Sequence, residues 1–148
     1  MADTCYGNEA AAGGRLFNFD ALQAEVMRLA EAARDYLAGA RIAYGEADAG
    51  GDPAGHLAAT CETTRLVTRL GFCLAWLLAR RAVQSGELAA ETAAGEGQWR
   101  LGGREVCLAG PVAGSGDAAA LPRGLADLLD HSAELYRRIE RLDRGLDG

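Results

Sequence analysis

The sequence contains no lysine, only two histidines and three prolines, and few aromatic residues, and these shortages narrow the class of protein. Phe, Trp and Tyr make up 6% of the chain, and alanine and leucine carry the apolar content, a composition that favours helix over sheet. All 15 basic side chains are arginine, and they are outnumbered by 21 acidic ones. The net charge of −6 argues against a nucleic-acid backbone as the main partner.

Long hydrophobic runs and targeting signals are also missing. The N-terminal residues contain neither the basic part nor the apolar part of a secretory signal. The apolar run around Trp76 is about ten residues long, whereas a membrane-spanning helix needs about 20. We therefore expect a cytoplasmic protein without a membrane span.

Neither the cysteines nor any sequence motif indicates a catalytic or metal-binding site. The four cysteines, at positions 5, 61, 73 and 107, include no Cys-x-x-Cys pair, so we expect reduced, mostly buried thiols. The signatures of serine hydrolases, P-loop proteins, zinc proteases and dinucleotide-binding proteins do not occur. We expect no catalytic residue, no cofactor and no bound metal, and hence a protein that is not an enzyme.

What the sequence does contain is one long, strongly apolar stretch, Glu62 to Glu87, with no proline and with only Gly71 in its interior and Gly86 next to its end. On a helix its bulky residues occupy more than one line, and a third line is small: Thr64, Thr68, Gly71 and Ala75. A helix that is apolar on most sides has to be covered on more than one of them. We predict that it is the central helix and that its surplus apolar surface contacts a second copy, since a large exposed apolar surface is a liability. The residues predicted for the core and dimer contact are Leu66, Leu70, Phe72, Leu74, Trp76 and Leu77.

Apolar residues at regular steps of three and four predict one further helix before the central helix and one after it. We call each such line of apolar residues a seam. The seam of the first helix starts at Phe19, and the seam of the last helix runs from Leu121 to Leu146. The sequence therefore predicts an all-α fold, an antiparallel three-helix bundle, preceded by a flexible N-terminus over residues 1–16. Within a single domain over residues 17–146, the predicted helices span about 19–43, 56–85 and 122–142. Gly86 either caps the second helix or is a hinge into residues 87–94, which can extend it or form another short helix.

The segment between the second and third helices is rich in glycine and predicted to be irregular. Two short runs, Trp99 to Leu101 and Glu105 to Leu108, flank Gly102-Gly103, a pattern typical of a two-residue β-hairpin. Trp99 and Arg100 are candidate partner-binding residues because a Trp in such a loop is a typical hot spot. The alternative is that Trp99 packs back onto the helices.

Two sets of polar residues on the last predicted helix are the remaining candidates for a functional site. Three arginines, Arg137, Arg138 and Arg141, are a candidate partner-binding patch, although interleaved acidic residues also fit a salt-bridged helix face. One helical face also carries a carboxylate–histidine–carboxylate line that suggests a metal-binding bundle enzyme as an alternative function: Asp127, His131 and Glu134. We favour a solvated polar face, because di-iron bundles use paired Glu-x-x-His motifs instead.

Four features together resemble a known family. They are ARDYLA at Ala33–Ala38, TTRLVTRLGFCLAWLLARRAVQSGELAAE at Thr63–Glu91, a linker closed by Leu121-Pro122, and LYRRIERLD at Leu135–Asp143. The set resembles the regulator-of-CtrA-degradation (RcdA) family of alphaproteobacteria over about residues 20 to 143.

The resemblance implies a three-helix-bundle homodimer without catalytic activity. It implies an adaptor for the ClpXP protease that helps deliver cell-cycle regulators, the response regulator CtrA among them. The partners it implies include a receiver-domain protein (CpdR) and a cyclic-di-GMP-binding protein (PopA), and recruitment to a cell pole. From the residues alone, a structural subunit of another complex fits equally well.

Overall fold

The computed structural model describes residues 18–46, 53–95, 97–110 and 121–147, and within these ranges the chain is all-α with no strand. Its helices are α1 (Phe19–Glu46), α2 (Pro53–Gln84), α3 (Ala90–Gly95), α4 (Arg104–Cys107) and α5 (Arg123–Arg144). Short 3-10 turns cover Gly97–Trp99 and Gly145–Asp147. None of the described helices combines the length and apolar character needed to cross a bilayer. The predicted flexible N-terminus lies outside the described residues.

Capping and proline explain where the long helices begin. The side-chain Oδ1 of Asn18 accepts a hydrogen bond from the backbone N–H of Ala21 at 3.0 Å and so caps the start of α1. Pro53 and Pro122 stand at or just before the first turns of α2 and α5, where a missing N–H costs nothing. α1 and α2 each extend further into the 45–55 segment than predicted, and residues 47–52 lie outside the described ranges.

Gly86 separates α2 from α3. Its φ of 80° lies in the left-handed region, which lets the backbone N–H of Leu88 reach the carbonyl of Ala82 at 3.1 Å. The chain therefore turns after Gln84 and starts a new helix at Ala90. The stretch 87–94, where the sequence allowed either an extension or another short helix, thus contains most of the separate helix α3.

The three long helices pack pairwise against one another and bury two apolar clusters. The larger cluster includes Trp76, Tyr136 and two thiols, and the smaller one joins Leu66 and Leu70 to α1 and α5. The first and last seams supply much of both clusters, as their spacing predicts. The buried seam residues are Leu22, Val26 and Ala33 of α1 and Leu125, Ser132, Leu135 and Ile139 of α5.

The predicted hairpin around Gly102-Gly103 is wrong, because this segment forms a helical turn. The carbonyl of Gly103 accepts hydrogen bonds from the backbone N–H groups of Val106 and Cys107 at 3.1 and 2.8 Å, and so begins α4. A two-residue type I′ hairpin needs positive φ at both central residues. Only Gly103 of the pair has it, with φ 76°.

Replacing Gly103 should be strongly destabilising. A Cβ there would overlap the ring of Phe72 and would also strain the left-handed backbone. We expect Gly103→Ala to lower the free energy of unfolding by about 2–4 kcal/mol in a urea titration, from strain and overpacking together.

Gly39→Ala is the matched control. Gly39 lies within α1, and a Cβ there meets no atom within 4 Å. It should leave stability unchanged or raise it by up to about 1 kcal/mol. Equal effects of the two substitutions would contradict the close approach of Phe72 to Gly103.

Candidate interaction surface

The exposed side of α2 carries no charge along six turns. Between Leu57 and Leu78 every exposed residue is apolar, glycine or threonine, at steps of three or four. We call this line the outer stripe: Leu57, Thr60, Thr64, Val67, Gly71, Ala75 and Leu78. A solvated helix face normally carries charged side chains, so this line has the character of a covered face.

Three large apolar side chains of the outer stripe are strongly exposed. Leu57 is 64% exposed, Val67 53% and Leu78 63%. The hydroxyls of Thr60 and Thr64 donate to the carbonyls four residues earlier, at 2.9 and 3.0 Å. Covering the stripe would therefore bury apolar surface without stranding a hydroxyl donor.

A groove between α1 and α2 opens beside the outer stripe. Its volume is about 540 Å³, and a single charged side chain, Arg34, reaches its wall, where it pairs with Asp35 at 3.0 Å. Small-molecule sites usually add several convergent polar groups to an apolar wall, and this groove has none among the described residues. Its chemistry suits another apolar protein surface. The lining residues are Ala30, Ala33, Arg34, Leu37, Ala38, Val67, Leu70, Gly71 and Leu74.

The six residues predicted for the core and dimer contact lie mainly inside the chain. Leu66, Leu70, Trp76 and Leu77 are at most 5% exposed, whereas Phe72 and Leu74 are partly buried. A side chain buried within one chain is not available to a second, so of the six only Phe72 and Leu74 keep part of their surface accessible. Their contact with a second copy stays a prediction. The set of residues predicted from the sequence did not include the exposed Leu57, Val67 and Leu78. The line of small residues through Gly71, which lies on the same side of α2, was the feature of the sequence that indicated this face.

On another side of α2, buried Arg69 holds α4 against α5. Its guanidinium donates from Nε to the carbonyl of Cys107 at 2.9 Å, and Nη2 donates to the same oxygen. Nη1 donates to the carbonyl of Leu129 and to Oγ of Ser132, at 2.9 and 2.6 Å. Burial lowers the pKa of Arg69, and these acceptors offset the loss of water around its charge.

Arg80 and Arg100 hold α3 and the following turn in the same way. Arg80 donates to the carbonyls of Ala93 and Trp99 at 3.1 and 2.9 Å, and its guanidinium lies 5.6 Å from the ring centroid of Trp76. Arg100 donates to the carbonyl of Ala94 at 2.9 Å. We call Arg69, Arg80 and Arg100 the arginine clamp, because each fixes main-chain carbonyls of the segment between α2 and α5.

Near the end of α5, the carboxylate of Asp143 accepts hydrogen bonds from the indole of Trp76 and the guanidinium of Arg100. Its Oδ1 accepts from Nε1 of Trp76 at 2.8 Å and from Nε of Arg100 at 3.0 Å. Arg100 also donates to the main-chain carbonyl of Asp143 at 2.8 Å. Nearby, the hydroxyl of Tyr136 donates to the carbonyl of Gly102 at 2.6 Å. These contacts tie α2, α5 and the intervening segment into one body.

The candidate partner-binding residues fall into two groups in the structure. Trp99 is half-buried, with its carbonyl bonded to Arg80, and its buried Nε1 has no acceptor among the described residues. Arg100 is part of the arginine clamp, so both residues have structural roles. Arg137, Arg138 and Arg141 of the patch on α5 are all exposed, and Arg138 pairs with Glu25 of α1 at 2.5 Å. Their binding to a partner stays a prediction.

The alternative metal site lies on an open surface. Asp127, His131 and Glu134 are all exposed, and His131 and Glu134 line a shallow depression with Asp130 and Arg137. Within the described ranges no three His, Cys, Asp or Glu side chains come together in a set that could hold a metal ion. The described residues therefore give the metal-enzyme alternative no ligand set.

Burial also controls the titration of groups around the arginine clamp. It raises the pKa of the Cys73 thiol from 9.0 to about 12, raises that of Cys107, and raises that of Tyr136 from 10.0 to about 12. Both thiols are fully buried, so neither is an exposed nucleophile. These groups serve packing, and we expect their raised pKa values to make the fold less stable at alkaline pH.

The geometry is that of an all-helical protein with one uncharged outer face and a clamped irregular segment. The family model described as "Protein of unknown function (DUF1465)" matches residues 14–148. The crystal structure of RcdA from Caulobacter crescentus CB15 is similar to this chain, with a TM-score of 0.65 and 32% sequence identity over 90% of this chain and 93% of that chain. A search of the curated proteins gave no match.

The chain therefore belongs to the DUF1465 family and is an RcdA-like protein. The resemblance inferred from the sequence motifs is confirmed. Those motifs contain most of the groups that fix the irregular segment. Within them are Arg69, Trp76, Arg80, Tyr136 and Asp143.

Removing the Asp143 carboxylate should unfold much of this arrangement. Asp143→Ala leaves the buried donors of Trp76 and Arg100 without their shared acceptor, and we expect a loss of about 3 kcal/mol in the free energy of unfolding. Asp130→Ala, the same substitution at an exposed position of α5, should change stability by less than about 1 kcal/mol. A similarly small effect of Asp143→Ala would contradict the structural role of the carboxylate.

Alkaline pH should destabilise the fold through the buried thiols. Because the folded pKa of Cys73 is raised, its contribution to stability is complete below pH 9.0 and is lost as the pH rises towards about 12. We expect the free energy of unfolding in urea to fall between pH 9 and 11, by up to about 1.4 kcal/mol per pH unit for each such group. The chain has no lysine to titrate in this window.

Cys73→Ala separates this effect from other alkaline titrations. The substitution removes one thiol with a raised pKa, so stability should fall less steeply with pH than in the wild type. Cys61→Ala, at a half-buried position, should keep the wild-type slope. Identical slopes in all three proteins would rule out Cys73 as a source of the alkaline sensitivity.

Proposed function

We propose that this protein is a non-enzymatic adaptor that helps deliver cell-cycle regulators, such as a CtrA-like response regulator, to the ClpXP protease. The observation that carries the proposal is the similarity to RcdA over nearly the whole of both chains. The match has 32% identity and a TM-score of 0.65 and covers 90% of this chain.

The described surfaces support an adaptor more than an enzyme. The outer stripe is uncharged, its groove is apolar apart from Arg34, and both are suited to protein contact. The described residues assemble no metal-ligand cluster. The arginine clamp gives the irregular segment a fixed shape, which lowers the ordering entropy that binding would otherwise cost. An adaptor needs surfaces of this kind because its work is to hold two proteins together.

The proposal includes the assembly and the location of the protein. We propose an antiparallel three-helix bundle that forms a homodimer through the side of α2 that carries the outer stripe. By family resemblance, its further partners are a receiver-domain protein and a cyclic-di-GMP-binding protein, in the cytoplasm with recruitment to a cell pole. We propose that Trp99, Arg100 and the arginines of α5 contribute to partner binding, with exposed Arg137 and Arg141 as the most accessible.

Degradation assays with purified components test the adaptor function. A CtrA-like response regulator is incubated with ClpXP and the two family partners, with or without this protein, and its loss is followed over time. We expect faster degradation when the protein is present. Degradation at the same rate in both reactions would overturn the proposed delivery function.

Two charge-insertion variants sharpen the assay. Val67→Glu places a carboxylate in the outer stripe, whereas Ala32→Glu places one at an exposed position of α1 that does not line the groove. We expect Val67→Glu to be monomeric by light scattering and to lose stimulation, and Ala32→Glu to retain both. Affinity purification from cells then addresses the alternative. Recovery of an unrelated complex without ClpX would indicate a structural subunit of that complex.

A further inference from the structure

Every exposed residue in the last two turns of α5 is an arginine. Between positions 137 and 144 the apolar and acidic side chains are buried or half-buried, and each exposed position carries a guanidinium group. The sequence alternates the two signs of charge, but the structure turns them to different sides of the helix. We call the exposed arginines, together with one on neighbouring α4, the basic surface: Arg104, Arg137, Arg138, Arg141 and Arg144.

The two acidic residues of this stretch leave most of that positive charge uncompensated. The buried carboxylate of Asp143 pairs with Arg100 at 3.0 Å and does not face the basic surface. Glu140 pairs with Arg104 at 2.6 Å and with Arg144 at 3.2 Å, so one carboxylate serves two guanidinium groups. Both of these arginine side chains stay largely exposed. Glu140 therefore fixes the positions of two cations and cancels only one of their charges.

The other arginines of the basic surface are not explained by the stability of α5. Within the described ranges, Arg137 and Arg141 take part in no ion pair. With Arg144 they form a line at steps of four and three, and like charges at these spacings destabilise an isolated helix. The helix dipole favours cations in the last turn, which holds Arg141 and Arg144. It does not account for Arg137, one turn earlier, or for Arg104 on α4.

We propose that the basic surface binds an acidic segment of a partner protein, in which several Asp or Glu side chains lie close together. The line from Arg137 to Arg144 is about 10 Å long at 1.5 Å per residue, so it offers guanidinium groups about 5–6 Å apart. Alternate side chains of an extended segment are about 6.6 Å apart, which allows successive carboxylates to reach successive arginines. The inference rests on the proposed binding of a partner by the α5 arginines, names the chemistry of that partner, and adds Arg104 and Arg144.

The surroundings favour an acidic protein segment over a nucleic acid. Exposed Asp130 and Glu134 lie on the preceding turns of α5 and border the basic surface. A nucleic acid is a continuous line of phosphates, so it would run onto these carboxylates and onto a chain of net charge −6. An acidic segment of a protein ends where its carboxylates end, and it can match a surface of two helical turns.

Fluorescence anisotropy with a defined acidic probe tests the proposal. The probe is a fluorescein-labelled peptide in which glutamate alternates with glycine, and its neutral match has glutamine in place of glutamate. Both are titrated with the full chain at low and at physiological salt. We expect saturable binding of the acidic peptide alone, with an affinity that falls as salt screens the exposed charges.

Two double variants locate the binding on the molecule. Arg137→Gln with Arg141→Gln removes two charges of the basic surface, and a urea titration checks that the fold is intact. Arg34→Gln with Arg123→Gln removes the same charge at exposed positions outside that surface. We expect the first pair to weaken binding by roughly two- to fivefold for each arginine, or about four- to 25-fold together. The control pair should weaken it by less than about twofold.

Each other result overturns a stated part of the inference. Equal losses in the two double variants would mean that net charge alone attracts the peptide. Absence of saturable binding, or equal binding of the neutral peptide, would overturn the basic surface as a binding site. Tighter binding of a single-stranded DNA oligonucleotide of equal charge would overturn the protein partner in favour of a nucleic acid.

The degradation assay is read separately from the peptide titration. Faster degradation of the response regulator without any peptide binding would overturn the basic surface and leave the adaptor function standing. Peptide binding that depends on Arg137 and Arg141, without any effect on degradation, would overturn the adaptor function and leave the basic surface standing.

Discussion

Buried arginine side chains hold the main chain of the segment between α2 and α5, and the arrangement of the rest depends on them. Arg69, Arg80 and Arg100 donate to carbonyls that lie outside long helices and would otherwise be buried without a partner. Because each guanidinium carries several donors in one plane, one side chain satisfies two or three acceptors. The charge is tolerated because each guanidinium donates to more than one oxygen and, at the end of α5, Arg100 is paired with Asp143. Of these three side chains, only Arg80 has a buried nitrogen, its Nε, with no acceptor among the described residues.

This arrangement divides the faces of α2 between two kinds of contact. The clamp and the two apolar clusters cover the buried faces of α2, and the outer stripe remains exposed. A helix with apolar residues on most sides is stable in water only when each side finds a cover. The fold supplies all but one of these covers, and a second copy of the chain supplies the last in the proposed dimer.

The long helices were predictable from sequence because their seams repeat at steps of three and four, and Leu22, Val26, Leu135 and Ile139 are buried as that spacing implies. The hairpin was not, since a Gly-Gly pair fits both a type I′ turn and a helical start, and the contact with Phe72 comes from a distant part of the chain. The hydrogen bonds of Arg69 and Arg100 to main-chain carbonyls could not be predicted from the sequence either. Nothing local in a sequence says that an arginine will bond to carbonyls 38 or 60 residues away.

The arginine clamp recognises carbonyl oxygens, which every amino acid possesses. Exposed side chains along the held segment, such as Glu105 and Val106, take no part in these carbonyl contacts and can change without loosening its attachment. The shape of the segment is set through its main chain, while the chemistry that it presents to solvent is set separately by its exposed side chains. A substitution at one of those side chains changes what the segment presents without changing how it is held.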